Sequence, residues 1–348
     1  MEPNIFIVIP AHNEQDAIEK TINDLLNQTL PVNIVVVADN CTDKTVPIVK
    51  NLQKDCPAIA LIETVNNKHR KAGAINQVLQ TLVNKNVDAV LLMDADTRID
   101  SKAIEEGWQT LSQDSQLAAV CSRAGVVEYH GHNPWKWLLY KLQKLEYAMF
   151  DSQRVETLER IKVVHGMAAL HRWTALQQVG FYDEGNLVED YELTLRYKEA
   201  GWKVTVNLEM QAWTDIPLSL RALWKQRLRW LRGGVDSLRE HGWNKATKGD
   251  ILNHFLFLVF TALQTYLLVL IFVMLSEGIP WKLNPWLIAV ITTSYLNSLY
   301  RLKYVKNLRW SDVVIRVFLI PELIYSWFQT VVMLYAYCLS FSKANQNW

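Results

Sequence analysis

The chain of 348 residues carries a formal net charge of +1, half of its residues are hydrophobic, and its mean hydropathy is zero. So even a charge balance excludes binding by general polyelectrolyte attraction, and with it the usual footprint of a nucleic-acid partner. The zero mean, together with 14 tryptophans, points to a polar part averaged with a very apolar one at the end of the chain.

Residues 5–10 form an apolar run that is too short for a membrane span and lacks a charged leader, so it reads as a first buried strand of a folded cytosolic domain. Asn13-Glu14-Gln15-Asp16 is expected to open a helix with Ile18, Ile22, Leu25 and Leu26 on one face. Strand over 32–38, turn over 39–45, helix over 46–52, strand over 60–64, helix over 73–83 and strand over 87–93 follow. This alternation predicts an α/β fold with a right-handed, doubly wound, mainly parallel sheet whose site lies at the strand carboxyl ends. Asp39 is expected to meet there an acid pair delivered by the strand over 87–93.

That strand runs straight into Asp94-Ala95-Asp96-Thr97. Alternate residues of an extended segment point the same way, so both carboxylates can face one crevice and hold a hard divalent ion, with a diphosphate completing the shell. A strand end followed by a helix cap would give the same letters.

Beyond the acids, 118–127 reads as sheet, and 134–150 as an aromatic amphipathic helix with Leu138, Leu142, Leu145 and Met149 at helical spacing. Such a helix lies on a membrane surface or faces a core. Segments 165–173, 187–197 and 202–212 complete a first domain, 1–235. Cys41, Cys56, Cys121 and Cys338 form no metal-binding spacing and fit small buried residues in a reducing compartment.

In the remaining 236–348, uncharged runs suggest three transmembrane helices at 251–275, 285–300 and 323–341, the second short for a bilayer. Lys282 is the single basic residue of the first connection, whereas Arg301, Lys303, Lys306, Arg309 and Arg316 crowd the second. The positive-inside rule then puts the second connection and the first domain in the cytoplasm of a multi-pass inner-membrane protein.

Two more clusters precede the first apolar run. Val188-Glu189-Asp190 sets adjacent acids at a helix start, and Gln226-Arg227-Leu228-Arg229-Trp230 sets two cations and an indole within five residues. Taken singly these are an ordinary helix start and an ordinary membrane flank. Together they suit transfer of a sugar from a nucleoside diphosphate, which needs an anion-binding metal, a carboxylate base, cations for the leaving group and an aromatic platform.

With V-I-P-A-H-N-E, V-A-D-N-C-T-D-K-T, K-A-G-A-I-N, D-A-D-T, V-E-D and Q-R-L-R-W in order, the chain resembles the membrane-embedded members of glycosyltransferase family 2, such as the cellulose, hyaluronan and poly-N-acetylglucosamine synthases. The resemblance implies a GT-A fold, and an inverting, Mn²⁺- or Mg²⁺-dependent transfer of a UDP-sugar to a growing β-linked polysaccharide at the cytoplasmic membrane face. A lipid acceptor is the alternative. It also implies that Pro10, Glu14, Asp39, Lys71, Ala72, Gly73, Asp94, Gln226 and Arg229 contact the nucleotide sugar and that Asp94 and Asp96 hold the metal. Asp190 looks like the base with Glu189 beside it, and Trp230 like the floor under the acceptor sugar. Val188 stands where the family usually has Thr, and His165-Gly166 where Cys-Gly is common, which leaves His165 an acceptor-site group or a buried imidazole. Three spans are few for a polymer channel, so either product export needs a homo-oligomer or a translocation partner, or the product is not translocated at all.

Overall fold

Strands of Val, Ile and Leu buried on both faces are what a parallel sheet covered by helices requires. A computed structural model describes residues 2–156, 161–278 and 285–342. β1 (Ile5–Ala11), α1 (Ile18–Leu26), β2 (Asn33–Ala38), α2 (Thr45–Asp55), β3 (Ile59–Glu63), α3 (Arg70–Leu82) and β4 (Ala89–Met93) alternate as expected. All four strands run parallel in the order β3-β2-β1-β4. The expected helix start at residue 13 is corrected to Ile18. Asn13 takes a left-handed φ of 59°, and the Glu14 N–H donates to Thr45 Oγ1 at 2.8 Å, so 13–17 is a loop fastened to the start of α2.

After β4 the topology departs from simple double winding. β5 (Arg98–Ile99), α4 (Ala103–Gln113), β6 (Leu117–Val126), α5 (Pro134–Glu156), β7 (Ala168–Arg172), α6 (Trp173–Gln178), α7 (Glu189–Glu199) and β8 (Lys203–Thr214) complete one eight-stranded mixed sheet, β3-β2-β1-β4-β7-β6-β8-β5. β7 is antiparallel to both β4 and β6, while β8 is parallel to β6. The reversal matters for function. It lays the residues before β7 beside the carboxyl end of β4, with Met93 opposite Ala168, and the same edge receives the carboxyl ends of β6 and β8.

Two apolar clusters cover the faces. One joins α3, α6 and α7 to the sheet through Ile75, Leu79, Leu176, Leu193 and Tyr197; the other joins α1 and α4 through Ile18, Ile22, Leu25, Ile104 and Leu111.

α8 (Leu220–His241) is a continuous helix that crosses residue 235, and α9 (Lys248–Ser276), α10 (Pro285–Tyr300), α11 (Trp310–Phe318) and α12 (Ile320–Phe341) follow. α9 and α12 are long and apolar enough to cross a membrane, and no residue of α9 is buried by protein. α10 has 16 residues, a rise of about 24 Å, short of the ~30 Å hydrocarbon core. Lys282 lies outside the described residues.

The basic connection after α10 folds back on the first domain: Arg301 donates to Ser152 Oγ at 2.7 Å, and Asp312 receives Lys141 and Lys144 of α5 at 2.7 and 2.9 Å. α5 therefore faces protein, with Leu142, Leu145 and Ala148 packed on Val305 and Ile315. Met149, expected on that stripe, is exposed. Among the cysteines Cys121 is buried, Cys41 and Cys56 are partly so and Cys338 is exposed, a correction to the expectation that all are buried.

Candidate active site

Strand ends are where backbone direction changes and polar side chains gather. Here they open into one cleft of about 1110 Å³. Pro10 lies near the end of β1 and Glu14 beyond it, Asp39 follows β2, Asp94 and Asp96 follow β4, Glu189 and Asp190 open α7, and Gln226, Arg229 and Trp230 come from α8; all of them line this cleft, as does Lys71. Asp39 lines the same cleft as the acid pair. Thr64 Oγ1 and Asn40 Nδ2 each donate to Asp39 Oδ1 at 2.9 Å, which orients its carboxylate at the floor.

Asp94 and Asp96 reach the cleft by a different local geometry from the one expected. The segment is a turn, not an extended strand end, because the Thr97 N–H donates to the Asp94 carbonyl at 3.1 Å. β5 then pairs with β8, Arg98 opposite Trp213, and so brings Asp215 beside Asp96. Burial, then Asp94 and Asp215, push the Asp96 carboxyl up to about 6. Burial, then Asp96, Asp94 and Asp43, push Glu14 up to about 7. This wall of the cleft holds surplus negative charge.

Lys71 ties that wall to α7. Its ammonium lies 2.5 Å from Asp94 Oδ1 and 3.2 Å from Glu189 Oε1. Burial works against the ammonium, but Asp94, Glu189 and Asp190 outweigh it and hold the pKa above the ordinary lysine range. Burial likewise opposes the charge on Glu189, yet Lys71, a helix-start N–H and Arg229 prevail and hold its carboxyl below the ordinary range.

Asp190 differs from its neighbour. Burial, then the adjacent Glu189, raise it to about 6, while N–H groups of Gly166 and Tyr191 donate to its two oxygens at 2.9 and 2.8 Å. Two adjacent carboxyls are thus driven apart, one firmly ionised and one poised near neutrality, the pattern by which acid and base roles separate.

α8 approaches α7 closely because residue 233 is glycine. A Cβ there would come within 2.8 Å of Val188 Cγ2. Arg229 donates to the Leu187 carbonyl at 3.4 Å, just before the acid pair.

Ala72 and Gly73 do not line the cleft, against expectation. α3 starts at Arg70, which turns Ala72 into the core, and Gly73 packs where a Cβ would meet Asn67 Oδ1 at 2.2 Å. His165 lines the cleft and is also buried: its Nε2 donates to the Ser122 carbonyl at 2.7 Å, and burial, then Arg154, lower its pKa to about 3.

The sequence reading missed Asp215, Arg154, Lys162, Asp250 and His254, which also line the cleft. Asp215 could have been found as another acid directly after a strand. Arg154, Asp250 and His254 depend on how α5 and α9 dock, and Lys162 on the course of the segment that leads into β7.

Residues 3–233 match the family model described as glycosyltransferase like family 2, well over half of the chain. The chain belongs to glycosyltransferase family 2. The family 2 domain thus contains every strand among the described residues and every expected site residue. It is similar to the poly-β-1,6-N-acetyl-D-glucosamine synthase of Staphylococcus aureus, with 26% identity over 67% of this chain and 55% of that protein. The probable glycosyltransferase YdaM of Bacillus subtilis is 28% identical over 66% of this chain and 55% of its own length. The chain therefore spans about half the length of these curated relatives. In fold it is similar to the mannosyltransferase PcManGT from Pyrobaculum calidifontis, solved with GDP-Man and Mn²⁺, with a TM-score of 0.63, 16% identity, and coverage of 99% of this chain and 89% of that one. The GT-A-like mixed sheet is thus shared, and the shared extent takes in the helices that follow it.

Proposed function

We propose that the protein is an inverting, metal-dependent glycosyltransferase that moves a sugar from a UDP-sugar to the end of a growing β-linked polysaccharide at the cytoplasmic membrane face. The observation that carries this reading is a single cleft gathering the acids after β4, the poised Asp190 of α7 and the Gln226, Arg229 and Trp230 of α8. Similarity to a polysaccharide synthase over 67% of the chain supports the choice of acceptor.

In this reading Asp190 takes the proton of an acceptor hydroxyl. The hydroxyl oxygen bonds to the anomeric carbon as the bond from that carbon to the diphosphate breaks, and one displacement from the opposite face inverts configuration. Charge grows on the departing diphosphate, and Arg229 and Gln226 offer it donors. Pro10, Glu14 and Asp39 border the nucleotide, and Lys71 holds Asp94 and Glu189 in register. Trp230 lies under the acceptor sugar, whose C–H face suits an indole.

The donor set fits a hard divalent ion, Mn²⁺ or Mg²⁺. Asp94 and Asp96 offer oxygen ligands, and burial, then Asp94 and Asp215, raise the Asp96 carboxyl in a cluster of acids that a divalent cation would suit. Among the described residues no three His, Cys, Asp or Glu side chains converge as a metal group, so the donor's diphosphate would complete the shell. When bound, the ion neutralises charge on the leaving diphosphate.

The catalytic domain is 1–235 and the membrane domain 236–348, with α9 and α12 spanning the bilayer. The unburied apolar surface of α9 supports this, because water would leave that surface unpaid by any contact. A lipid acceptor is a second reading, favoured by the extension of the cleft to Phe257 of α9 and Met333 of α12.

Membranes containing the protein, incubated with several radiolabelled nucleotide sugars and Mn²⁺, should yield label in polymer. Label extracted into organic solvent would replace the first reading by the second. No product from any donor would refute both.

A further inference from the structure

The Gln226-Arg227-Leu228-Arg229-Trp230 segment of α8 has three residues on the cleft, Gln226, Arg229 and Trp230, and two that are not, Arg227 and Leu228. Arg227 sits between Gln226 and Trp230 in function though not in exposure: it is 2% exposed and touches neither the cleft nor solvent. Its guanidinium nevertheless reaches both flanking cleft residues. Nη1 donates to Gln226 Oε1 at 2.6 Å, and the guanidinium carbon lies 4.3 Å from the centre of the Trp230 ring. Nη2 donates to Glu146 Oε2 of α5 at 2.7 Å.

The chemistry of these contacts is directional. A guanidinium has only donors, so it fixes the amide oxygen of Gln226 toward itself and leaves the two N–H bonds of that amide for the cleft. Gln226 is thereby locked as a donor, the role an anionic diphosphate needs. The planar cation against one face of Trp230 holds the indole and leaves its other face for a sugar. Arginine alone among the cations has the flat shape for this pair of contacts; a lysine ammonium is a point charge.

Glu146 in turn is held from the other side. Its Oε2 accepts from Tyr325 Oη at 2.6 Å and its Oε1 from Gln329 Nε2 at 2.9 Å, both on α12. Leu228 of α8 packs on Val332 and Ala336 of the same helix. One apolar helix therefore grips the counter-ion of the arginine that orients the cleft.

We propose that Arg227 is a positioning residue that orients Gln226 as a donor to the diphosphate and Trp230 as the acceptor platform, with Glu146 anchoring it to α12. This rests on the functional reading above, in which Gln226 and Trp230 meet donor and acceptor.

The test uses full-length protein in lipid nanodiscs with Mn²⁺ and reads equilibrium binding of UDP and GDP, then transfer kinetics. R227K keeps a cation beside Glu146 and so protects folding, but loses the flat stack and the paired donors. R227K and Q226A should each weaken nucleoside-diphosphate binding about tenfold, and the double variant should be no weaker than Q226A, since residues acting through one contact are not additive. R227K should also raise the acceptor KM while W230A, which removes the platform itself, should make the further change R227K of little effect on that KM. E146Q should reproduce part of the R227K loss. R227K that binds and turns over like wild type, or losses from R227K and Q226A that multiply to about a hundredfold, would overturn the proposal while leaving the functional reading intact. Wild type that binds neither nucleotide would overturn both.

Discussion

Replacing Asp190 by Asn separates chemistry from folding. Holding this carboxyl at about 6 against its ordinary 3.8 makes its ionised form at most about 3 kcal/mol less favourable in the fold than in water. Asn removes that cost, and its amide oxygen keeps one of the two N–H bonds from Gly166 and Tyr191; the NH₂ group then faces the other N–H, a mismatch of about 1–3 kcal/mol. The two changes offset, so Asp190→Asn should melt within a few degrees of wild type. Transfer should fall by about two to four orders of magnitude, the range for losing a general base, with nucleotide-sugar affinity largely kept. The pH dependence has a definite sign. A raised carboxyl pKa leaves the base protonated below about 6, so wild-type kcat/KM at saturating Mn²⁺ should drop about tenfold between pH 7 and pH 5. The assay is radiolabelled transfer alongside binding of the nucleotide sugar by calorimetry. An Asn variant that lost donor affinity and kept turnover would put Asp190 in the donor site and refute the assignment.

Asp96→Asn should weaken Mn²⁺-dependent UDP binding, and wild-type Mn²⁺ affinity should fall about tenfold per pH unit below about 6, because the ion displaces a proton from Asp96; affinity independent of pH between 4.5 and 7, measured by calorimetry, would exclude that carboxylate as a ligand. Trp230→Ala should lose transfer by about 1–3 kcal/mol of stacking, by analogy with other rings, while slow donor hydrolysis persists; unchanged transfer to every acceptor would make the indole a membrane anchor. Gly73→Ala should destabilise the start of α3 by about 1–3 kcal/mol, read in a thermal melt, since its Cβ would meet Asn67 Oδ1 at 2.2 Å; an unchanged midpoint would show that the Asn67 loop yields freely.

Much of the site was legible because its residues sit at places that local pattern marks. A run such as Val90 to Met93 ends where polarity begins, and Asp39 and Asp94 follow directly from that rule. The Glu189-Asp190 pair and Gln226, Arg229 and Trp230 were legible as residue types, but their meeting was inferred from chemistry alone. Ala72 and Gly73 fall off the cleft because a motif records neighbours in sequence, whereas a helix that begins at Arg70 points Arg70 and Lys71 to the cleft and turns the next residues away. The loop at 13–17 was misjudged because its N–H groups found partners in Thr45 and Asp43, which no local propensity reveals.

By itself the sequence determined the first four strands, the helices between them and the long apolar helices α9 and α12, since each depends on the periodicity and length of a single segment. Tertiary structure alone decided that β7 enters antiparallel, that the short β5 pairs with β8 to bring Asp215 to Asp96, and that Lys71 bridges Asp94 and Glu189. It also decided that one acid of the 189–190 pair stays ionised while the other is poised near 6. The physical reason is the same in each case: pairing direction, contact between distant loops and the field at a carboxyl all depend on what lies across space, and residues 71, 94 and 189 become neighbours only when the sheet is assembled.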